Sequence, residues 1–248
     1  MKKTKLKITK FNFLEGDTIL GKYEFGKKLG AGWEGEVYQI REMKTDIVRT
    51  AKIFFPHRNH RNKASLFYAR KLHKLRQCQI LIHYHNEETI YIEGLPVTLL
   101  ISEYVEGILL SQFVDSFYGK KLRPYMALHV LYALAKGIEE IHLLNEYHGD
   151  LHTDNVIVNR FGLNFDLKLI DMFHWGAPTK ANRNYDVCSL IRIFHEILGG
   201  AKAYSSLPKE IKAICCGLKD SLILKKFGTV SQLREHLDKL DLTEAIVK

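Results

Sequence analysis

The sequence has few cysteines and no long apolar run, and both features restrict the cellular compartment in which we expect the protein. Its four cysteines have neither the spacing of metal ligands nor the density of a disulfide-rich secreted scaffold. The lysine-rich start, MKKTKLKITK, lacks the apolar stretch that a signal peptide needs. No run of about 18 apolar residues is present that would span a bilayer. We therefore expect a soluble, cytoplasmic protein with reduced thiols.

Acidic residues are missing from residues 53–86, although the whole chain contains 28 of them. The same segment holds seven Lys or Arg residues and five histidines, in a protein of net charge +9. Such a concentration of positive charge attracts a polyanion, an anionic membrane surface or an acidic protein partner. A solvated basic helix face without a partner explains the same pattern, and both explanations stay open at this point.

Strand patterns fill the first part of the chain and helix patterns fill the rest. Alternating apolar residues predict two strands within YEFGKKLGAGWEGEVYQI, a third in IVRTAKIFF, and two more in TIYIEG and VTLLISEYV. Between the third and fourth strands, residues 63–76 have the apolar spacing of a helix. The helix pattern becomes continuous at Pro124, which suits a first helical turn, and ends with SQLREHLDKL, where Ser231 is the expected cap.

The predicted fold class is α+β. We expect an antiparallel sheet with one helix in the N-terminal part and a mainly helical C-terminal part, interrupted by a short strand pair in NVIVNRFG and FDLKLID. The predicted divisions are a basic N-terminal extension at 1–22, a β-rich part at 23–104 and an α-rich part at 105–248.

Three glycines, Gly30, Gly32 and Gly35, form a GxGxxG pattern between two predicted strands and precede Val37. Glycine lets backbone N–H groups approach a polyphosphate without an intervening side chain. In a dinucleotide-binding loop the glycines lead into a helix, whereas here the strand GEVYQI follows, so a Rossmann site is disfavoured. Lys52, at the end of TAK in the third strand, is placed to extend its ammonium group beneath this loop towards phosphate oxygens.

The segment HGDLHTDNVIV, residues 148–158, carries the strongest chemical signal. Asp150 is suited to orient or deprotonate an acceptor hydroxyl, and Asn155 to give an oxygen to a metal ion. Asp171, in LKLIDMF, adds a carboxylate of the kind that Mg²⁺ prefers. Each residue alone is compatible with a turn or a helix cap. As an ordered set, they indicate phosphoryl transfer.

This ordered set resembles the protein kinase superfamily over residues 23–240. The resemblance implies a bilobal fold that binds ATP with Mg²⁺, or Mn²⁺, and phosphorylates a hydroxyl of a protein or small molecule. The nucleotide-binding residues that it implies are Gly30, Gly32, Gly35, Val37, Ala51, Lys52, Glu103, Asn155 and Asp171. Within that set Asn155 and Asp171 bind the metal, and Glu103 opens the hinge that meets adenine.

The resemblance also implies catalytic roles. Asp150 is the catalytic-loop aspartate and Lys52 contacts the α- and β-phosphates. Asp186, in YDVCSLIRIF, matches the aspartate that begins the long helix of the C-terminal part and braces the catalytic loop.

The sequence departs from the family pattern at the partner of Lys52. No acidic residue lies between Lys52 and Glu87, and the helical register puts Tyr68 where the family has a glutamate that pairs with the lysine. Glu34 and Glu36, beside the glycines, are the candidates to replace it.

Further departures concern the acceptor side. HGD replaces HRD, and His152 replaces the usual lysine. HGDLH followed by an asparagine is similar to aminoglycoside and choline phosphotransferases and to several atypical kinases. DMF replaces DFG, and only fourteen residues separate Asp171 from Asp186, without an APE motif. We therefore expect no activation-loop phosphorylation switch.

Three functions remain open from the sequence. A divergent serine/threonine protein kinase leads. A kinase of a sugar, antibiotic or lipid headgroup is the second, and a nucleotide-binding pseudokinase that acts as a binding module is the third.

Overall fold

The computed structural model describes residues 7–161 and 164–240, and the chain divides into two compact units. Unit 1 consists of Met1–Arg76 and Ile82–Val105, and unit 2 of Gln77–Leu81 and Glu106–Lys248. Unit 1 is built on an antiparallel sheet and unit 2 mainly on helices. The predicted α+β class is therefore confirmed.

Unit 1 contains a six-stranded sheet and, among its described residues, one α-helix. Its elements are β1 Thr18–Ile19, β2 Tyr23–Ala31, β3 Gly35–Glu42, β4 Val48–Phe54, α1 Lys63–Lys74, β5 Tyr84–Ile92 and β6 Leu95–Glu103. The strands lie in the order β1-β2-β3-β4-β6-β5, and every pairing is antiparallel. Strand β4 is thus hydrogen-bonded on both sides, which gives a rigid base to Lys52.

One face of this sheet packs against a hydrophobic cluster that includes part of the predicted N-terminal extension. Ile8 and Phe11 from that stretch are buried in the cluster. Ala51 and Ile53 of β4 enter it as well. Because side chains alternate along a strand, Lys52 lies on the opposite face of the sheet.

Unit 2 combines helices with a small three-stranded sheet, ordered β7-β8-β9. The strands are β7 Ile108–Leu109, β8 Val156–Phe161 and β9 Asn164–Leu169. The helices are α2 Leu110–Asp115, α3 Pro124–Leu143, α4 Lys180–Ile197, α5 Gly200–Tyr204, α6 Lys209–Cys215, α7 Asp220–Lys226 and α8 Val230–Asp238. The strand pair β8–β9 interrupts the helices where the sequence predicts it.

Helix α3 forms as its sequence predicts. Pro124 occupies its first turn, where the missing N–H costs no hydrogen bond. Its buried residues recur at spacings of three and four, and they include Ala127, Leu131, Leu134, Ile138 and Ile141. No helix of residues 7–161 and 164–240, α3 included, is long and apolar enough to cross a membrane.

Two helices begin elsewhere than predicted. The cap of α8 is Thr229, whose hydroxyl accepts from the Gln232 N–H at 3.2 Å, and Ser231 lies inside the helix. Helix α4 begins at Lys180, so Asp186 lies within the helix and does not begin it. Thr179 starts this helix, because its side chain and that of Asn182 form a reciprocal capping box.

Candidate active site

The glycines between β2 and β3 are of two kinds. An added Cβ at Gly30 or Gly32 would meet no atom within 4 Å, so the fold itself does not require glycine there. At Gly35 an added Cβ would lie 1.9 Å from the carbonyl oxygen of Ile53, because β3 approaches β4 closely. The open space at Gly30 and Gly32 suits a loop whose backbone lies against phosphate groups. We call residues 30–35 the glycine loop.

Gly35→Ala is expected to lower the free energy of unfolding by roughly 1 to 3 kcal/mol, because the strands have to shift to admit the methyl group. Gly32→Ala is the matched control, and it is expected to change that free energy by less than about 0.5 kcal/mol. Urea unfolding followed by circular dichroism compares the two variants. Equal stabilities would show that the contact between Gly35 and Ile53 is not a structural requirement.

Lys52 stands opposite Val37 in the β3–β4 register, and its ammonium group contacts both the glycine loop and α1. Its Nζ lies 3.0 Å from Oε2 of Glu34. The same Nζ lies 4.7 Å from the centre of the Tyr68 ring. A tyrosine of α1 therefore faces the lysine, and a carboxylate from the glycine loop pairs with it.

Glu36 has a different role from Glu34. It is only 2% exposed, its Oε1 lies 2.7 Å from Nζ of Lys28, and its Oε2 accepts from the Tyr38 hydroxyl at 2.6 Å. Burial, reinforced by this carboxylate, raises the pKa of the Tyr38 phenol above its usual range. Of the two glutamates suggested by the sequence, Glu34 is the one that contacts Lys52.

Ala51 and Glu103, which are also expected to bind nucleotide, lie in the hydrophobic core and at the end of a strand, respectively. Ala51 is fully buried in the hydrophobic cluster, so its side chain belongs to the core. Thr50, two residues before Lys52, lies on the same face of β4 as the lysine. Glu103 ends β6, where its N–H donates to the His83 carbonyl at 2.9 Å and its Oε2 lies 3.1 Å from Nδ1 of that histidine.

In unit 2, residues 148–155 form a loop that we call the HGD loop. Its Asn155 donates from Nδ2 to the carbonyl oxygen of Asp150 at 2.8 Å and to its Oδ2 at 3.3 Å. The amide nitrogen of Asn155 is thus turned towards Asp150 within the loop. His152 accepts from the Asp154 N–H at its Nδ1, so its neutral ring carries the proton on Nε2, 3.8 Å from Oδ2 of Asp150.

Hydrogen bonds hold the HGD loop against the segment that carries Asp171. The Nε2 of the fully buried His148 donates to the Ile170 carbonyl at 3.1 Å. The His148 carbonyl accepts from the Phe173 N–H at 2.9 Å, and the Asn155 carbonyl accepts from the Ile170 N–H at 3.0 Å. Backbone hydrogen bonds within unit 2 therefore hold Asn155 next to Ile170, the residue that precedes Asp171.

The segment after Asp171 is short and tied to the HGD loop. Asp171 has a φ of 53°, in the left-handed region that residues other than glycine rarely adopt outside constrained sites. Trp175 donates from Nε1 to the Gly149 carbonyl at 3.0 Å and from its N–H to the Tyr147 hydroxyl at 2.6 Å. That hydroxyl donates in turn to the Gly176 carbonyl at 3.0 Å. These bonds hold the segment against the HGD loop.

Asp186 supports the HGD loop from helix α4. It is fully buried and accepts from the N–H groups of His148 and Gly149, both at 2.8 Å. Its Oδ2 also lies 3.0 Å from Nε2 of His142. Gly149 has a φ of 86°, and an added Cβ would lie 2.9 Å from the Tyr147 ring. The glycine of HGD is therefore required by the local backbone and packing.

Comparison with known proteins decides the family. The sequence model described as protein kinase domain matches residues 23–202. The chain belongs to the protein kinase family. This kinase domain is 26% identical to an Aurora kinase of Schizosaccharomyces pombe over 178 residues, which cover 69% of the chain and 46% of the relative.

The kinase domain is also similar to a bacterial protein in sequence and to a solved structure in fold. It is 26% identical to a probable serine/threonine-protein kinase of Streptomyces coelicolor over 153 residues, which cover 57% of the chain and 21% of the relative. The chain thus spans less than half the length of either curated relative. It matches the PknI kinase domain of Mycobacterium tuberculosis with a TM-score of 0.66 at 18% identity, over 92% of this chain and 97% of that one. At that identity the match establishes the protein kinase fold, as the sequence predicts.

The donor set of the kinase domain fits ATP with a divalent cation, which the kinase fold generally uses. The carboxylate of Asp171 and the amide oxygen of Asn155 are hard ligands that suit Mg²⁺ or Mn²⁺. Because Mg²⁺ usually keeps waters and phosphate oxygens as further ligands, two protein ligands are enough.

Sequence reasoning missed several residues that shape this site. Thr50 was not singled out in the sequence, where its neighbour Ala51 is the residue expected to bind nucleotide. Tyr147 and Trp175 belong to no motif. In the sequence, only the closeness of Trp175, one of two tryptophans in the chain, to Asp171 could have pointed to a role at this site.

Proposed function

We propose that this kinase domain binds ATP with Mg²⁺ and transfers the γ-phosphoryl group to a serine or threonine hydroxyl of a protein. The observation that carries the proposal is the anchored HGD loop, where Asp150 and Asn155 are hydrogen-bonded to each other and held against the Asp171 segment. The name of the Streptomyces relative, a probable serine/threonine-protein kinase, supports the acceptor class.

In the proposed reaction, Asp150 accepts a hydrogen bond from the acceptor hydroxyl and takes its proton as the oxygen attacks the γ-phosphorus. The new P–O bond forms while the bond from the γ-phosphorus to the β–γ bridging oxygen breaks, and ADP leaves. Lys52 holds the α- and β-phosphates beneath the glycine loop. Asn155 and Asp171 would hold the metal ion, which neutralises phosphate charge when bound.

The two parts of the domain have separate roles in this proposal. Residues 23–104 bind the nucleotide, with Val37, Thr50 and Glu103 on the side of the adenine. Residues 105–248 supply the proton acceptor and the metal ligands, and they bind the acceptor. The hydrogen-bonded position of Glu103 at the end of β6 supports its part in this division.

The direct test is incubation with γ-labelled ATP and Mg²⁺ or Mn²⁺, with and without a mixture of protein acceptors. Metal-dependent label on serine or threonine is the expected result. Calorimetry with MgATP runs in parallel, because nucleotide binding without any transfer would identify the protein as a pseudokinase. A protein that shows neither binding nor transfer would contradict the proposal.

A small-molecule acceptor is the second candidate, and the short segment after Asp171 favours it. Helix α4 already begins at Lys180, which leaves little chain for the platform on which protein kinases bind a peptide. The same labelling assay with sugars, aminoglycosides or choline as acceptors separates the two candidates. Label on one of these compounds and none on protein would assign the small-molecule class.

We also propose that the acid-free segment binds a polyanion. Lys63, Arg70 and Lys74 of α1 are exposed, and their spacings of seven and four residues put them on one face of the helix. Arg58 and Arg61 are exposed just before the helix. We call these five residues the basic face.

The affinity of the basic face for a single-stranded oligonucleotide is expected to fall by about tenfold or more between about 50 and about 200 mM salt, because phosphate contacts release counterions. Neutralising Lys63 and Arg70 together, as glutamine, should reduce the slope of log affinity against log salt by about 1.4. Titrations of fluorescent oligonucleotide at several salt concentrations measure both effects.

The control for this experiment is Lys27→Gln with Lys44→Gln, which removes the same charge from exposed positions outside the basic face. It is expected to keep the slope of the parent protein. Salt-independent binding, or the same change in slope in both double variants, would remove the basic face as a binding site.

A further inference from the structure

Helix α1 offers no carboxylate to Lys52. All twelve of its residues, KASLFYARKLHK, are neutral or basic. At the position that faces Lys52 the helix carries Tyr68, which is 7% exposed. An aromatic ring attracts a cation over its face, but it directs an ammonium group less strictly than a charge-assisted hydrogen bond does. An ion pair for Lys52 therefore has to come from another element.

Glu34 of the glycine loop forms such an ion pair. The side chains of Glu34 and Lys52 are 30% and 14% exposed, so the pair is partly shielded from solvent and its attraction is stronger than at a fully exposed site. The Glu34 carbonyl accepts from the Phe55 N–H at 2.9 Å, directly after β4. The next residue, Gly35, packs against the Ile53 carbonyl. The carboxylate and the ammonium are thus carried by one framework of hydrogen-bonded strands.

We propose that Glu34 is the positioning residue for Lys52, so that the glycine loop makes the ion pair which the family otherwise makes from a helix glutamate. The inference rests on the proposed function, since it assigns the residue that prepares Lys52 for the phosphates. One consequence concerns regulation. Because Tyr68 has no charge to give, movement of α1 cannot make or break this ion pair, and the orientation of Lys52 follows the glycine loop instead.

Glu34→Gln keeps the shape of the side chain and removes its charge. We expect kcat/KM for ATP to fall about 10- to 100-fold, the size of effect that follows the loss of a charge-assisted hydrogen bond, with a raised KM and an unchanged melting temperature. Adding Tyr68→Glu, which places a carboxylate on α1, should restore kcat/KM to within about threefold of wild type, because the two sites are coupled through Lys52. A merely structural role of Glu34 would not be rescued from a different element.

The matched control is Glu24→Gln, which removes a negative charge from the same sheet, where Glu24 pairs with Arg41. It should behave as wild type in transfer and in calorimetric binding of MgATP. Wild-type protein that neither binds MgATP nor transfers phosphate would overturn the proposed function and this inference together. Active wild type with an unaffected or faster Glu34→Gln variant, or a folded double variant without recovery, would overturn this inference alone.

Discussion

Replacing Asp150 by asparagine is expected to lower the rate of phosphoryl transfer by roughly 10² to 10⁴ and to leave the fold intact. The amide cannot take the proton of the acceptor hydroxyl. Its oxygen can still accept the hydrogen bond that Asn155 donates to Oδ2 at 3.3 Å, so the HGD loop keeps its geometry. The Asp150 side chain is 46% exposed, and its replacement should therefore cost little stability. Initial rates at saturating MgATP measure the loss.

Asp154→Asn is the control for this experiment. Asp154 lies in the same loop, is exposed, and accepts a hydrogen bond from the Ser111 hydroxyl. The substitution makes the same change of charge a few residues away, and the rate is expected to stay within about twofold of wild type. A similar loss in both variants would mean that the charge of the loop matters and that Asp150 has no special role in proton transfer.

The second large effect is expected at Asp186, where Asp186→Asn should lower the free energy of unfolding by roughly 2 to 4 kcal/mol. The buried carboxylate accepts from the N–H groups of His148 and Gly149 and contacts His142. An asparagine of the same shape has only one acceptor oxygen, so its NH₂ group would face one of these donors. The melting temperature should fall by roughly 5 to 15 °C, and transfer should weaken because the HGD loop loses its support.

Trp175 offers a local probe for the Asp186 variant, because its indole donates to the Gly149 carbonyl. With Trp33→Phe in the background, Trp175 is the sole tryptophan, and its fluorescence reports on the HGD loop. The control is Asp220→Asn, which breaks an exposed ion pair with Arg192 and should cost less than about 1 kcal/mol. If Asp186→Asn melts no earlier than this control, the buried carboxylate does not brace the loop.

The strands and helices were largely predictable because their signals are local. Helix α3 carries its apolar spacing and Pro124 in consecutive residues, and β4 carries its β-branched and aromatic run in the same way. The start of α8 was less predictable, because Thr229 and Ser231 are both good caps and lie two residues apart. The burial of the Ala51 side chain was also hard to predict, since a shift of one residue in a strand reverses the face of every side chain.

The sequence by itself determined which chemical groups are available and in what order. It placed Asp150, Asn155 and Asp171 in motifs of a phosphoryl-transfer loop, and it excluded acidic residues from α1. Only the tertiary structure decided which glutamate meets Lys52. Glu34 and Glu36 are two residues apart, yet β3 begins between them, so that Glu34 stays in the loop while Glu36 alternates into the core. That outcome depends on the register of β3 against β4, a contact between distant residues that no local pattern specifies.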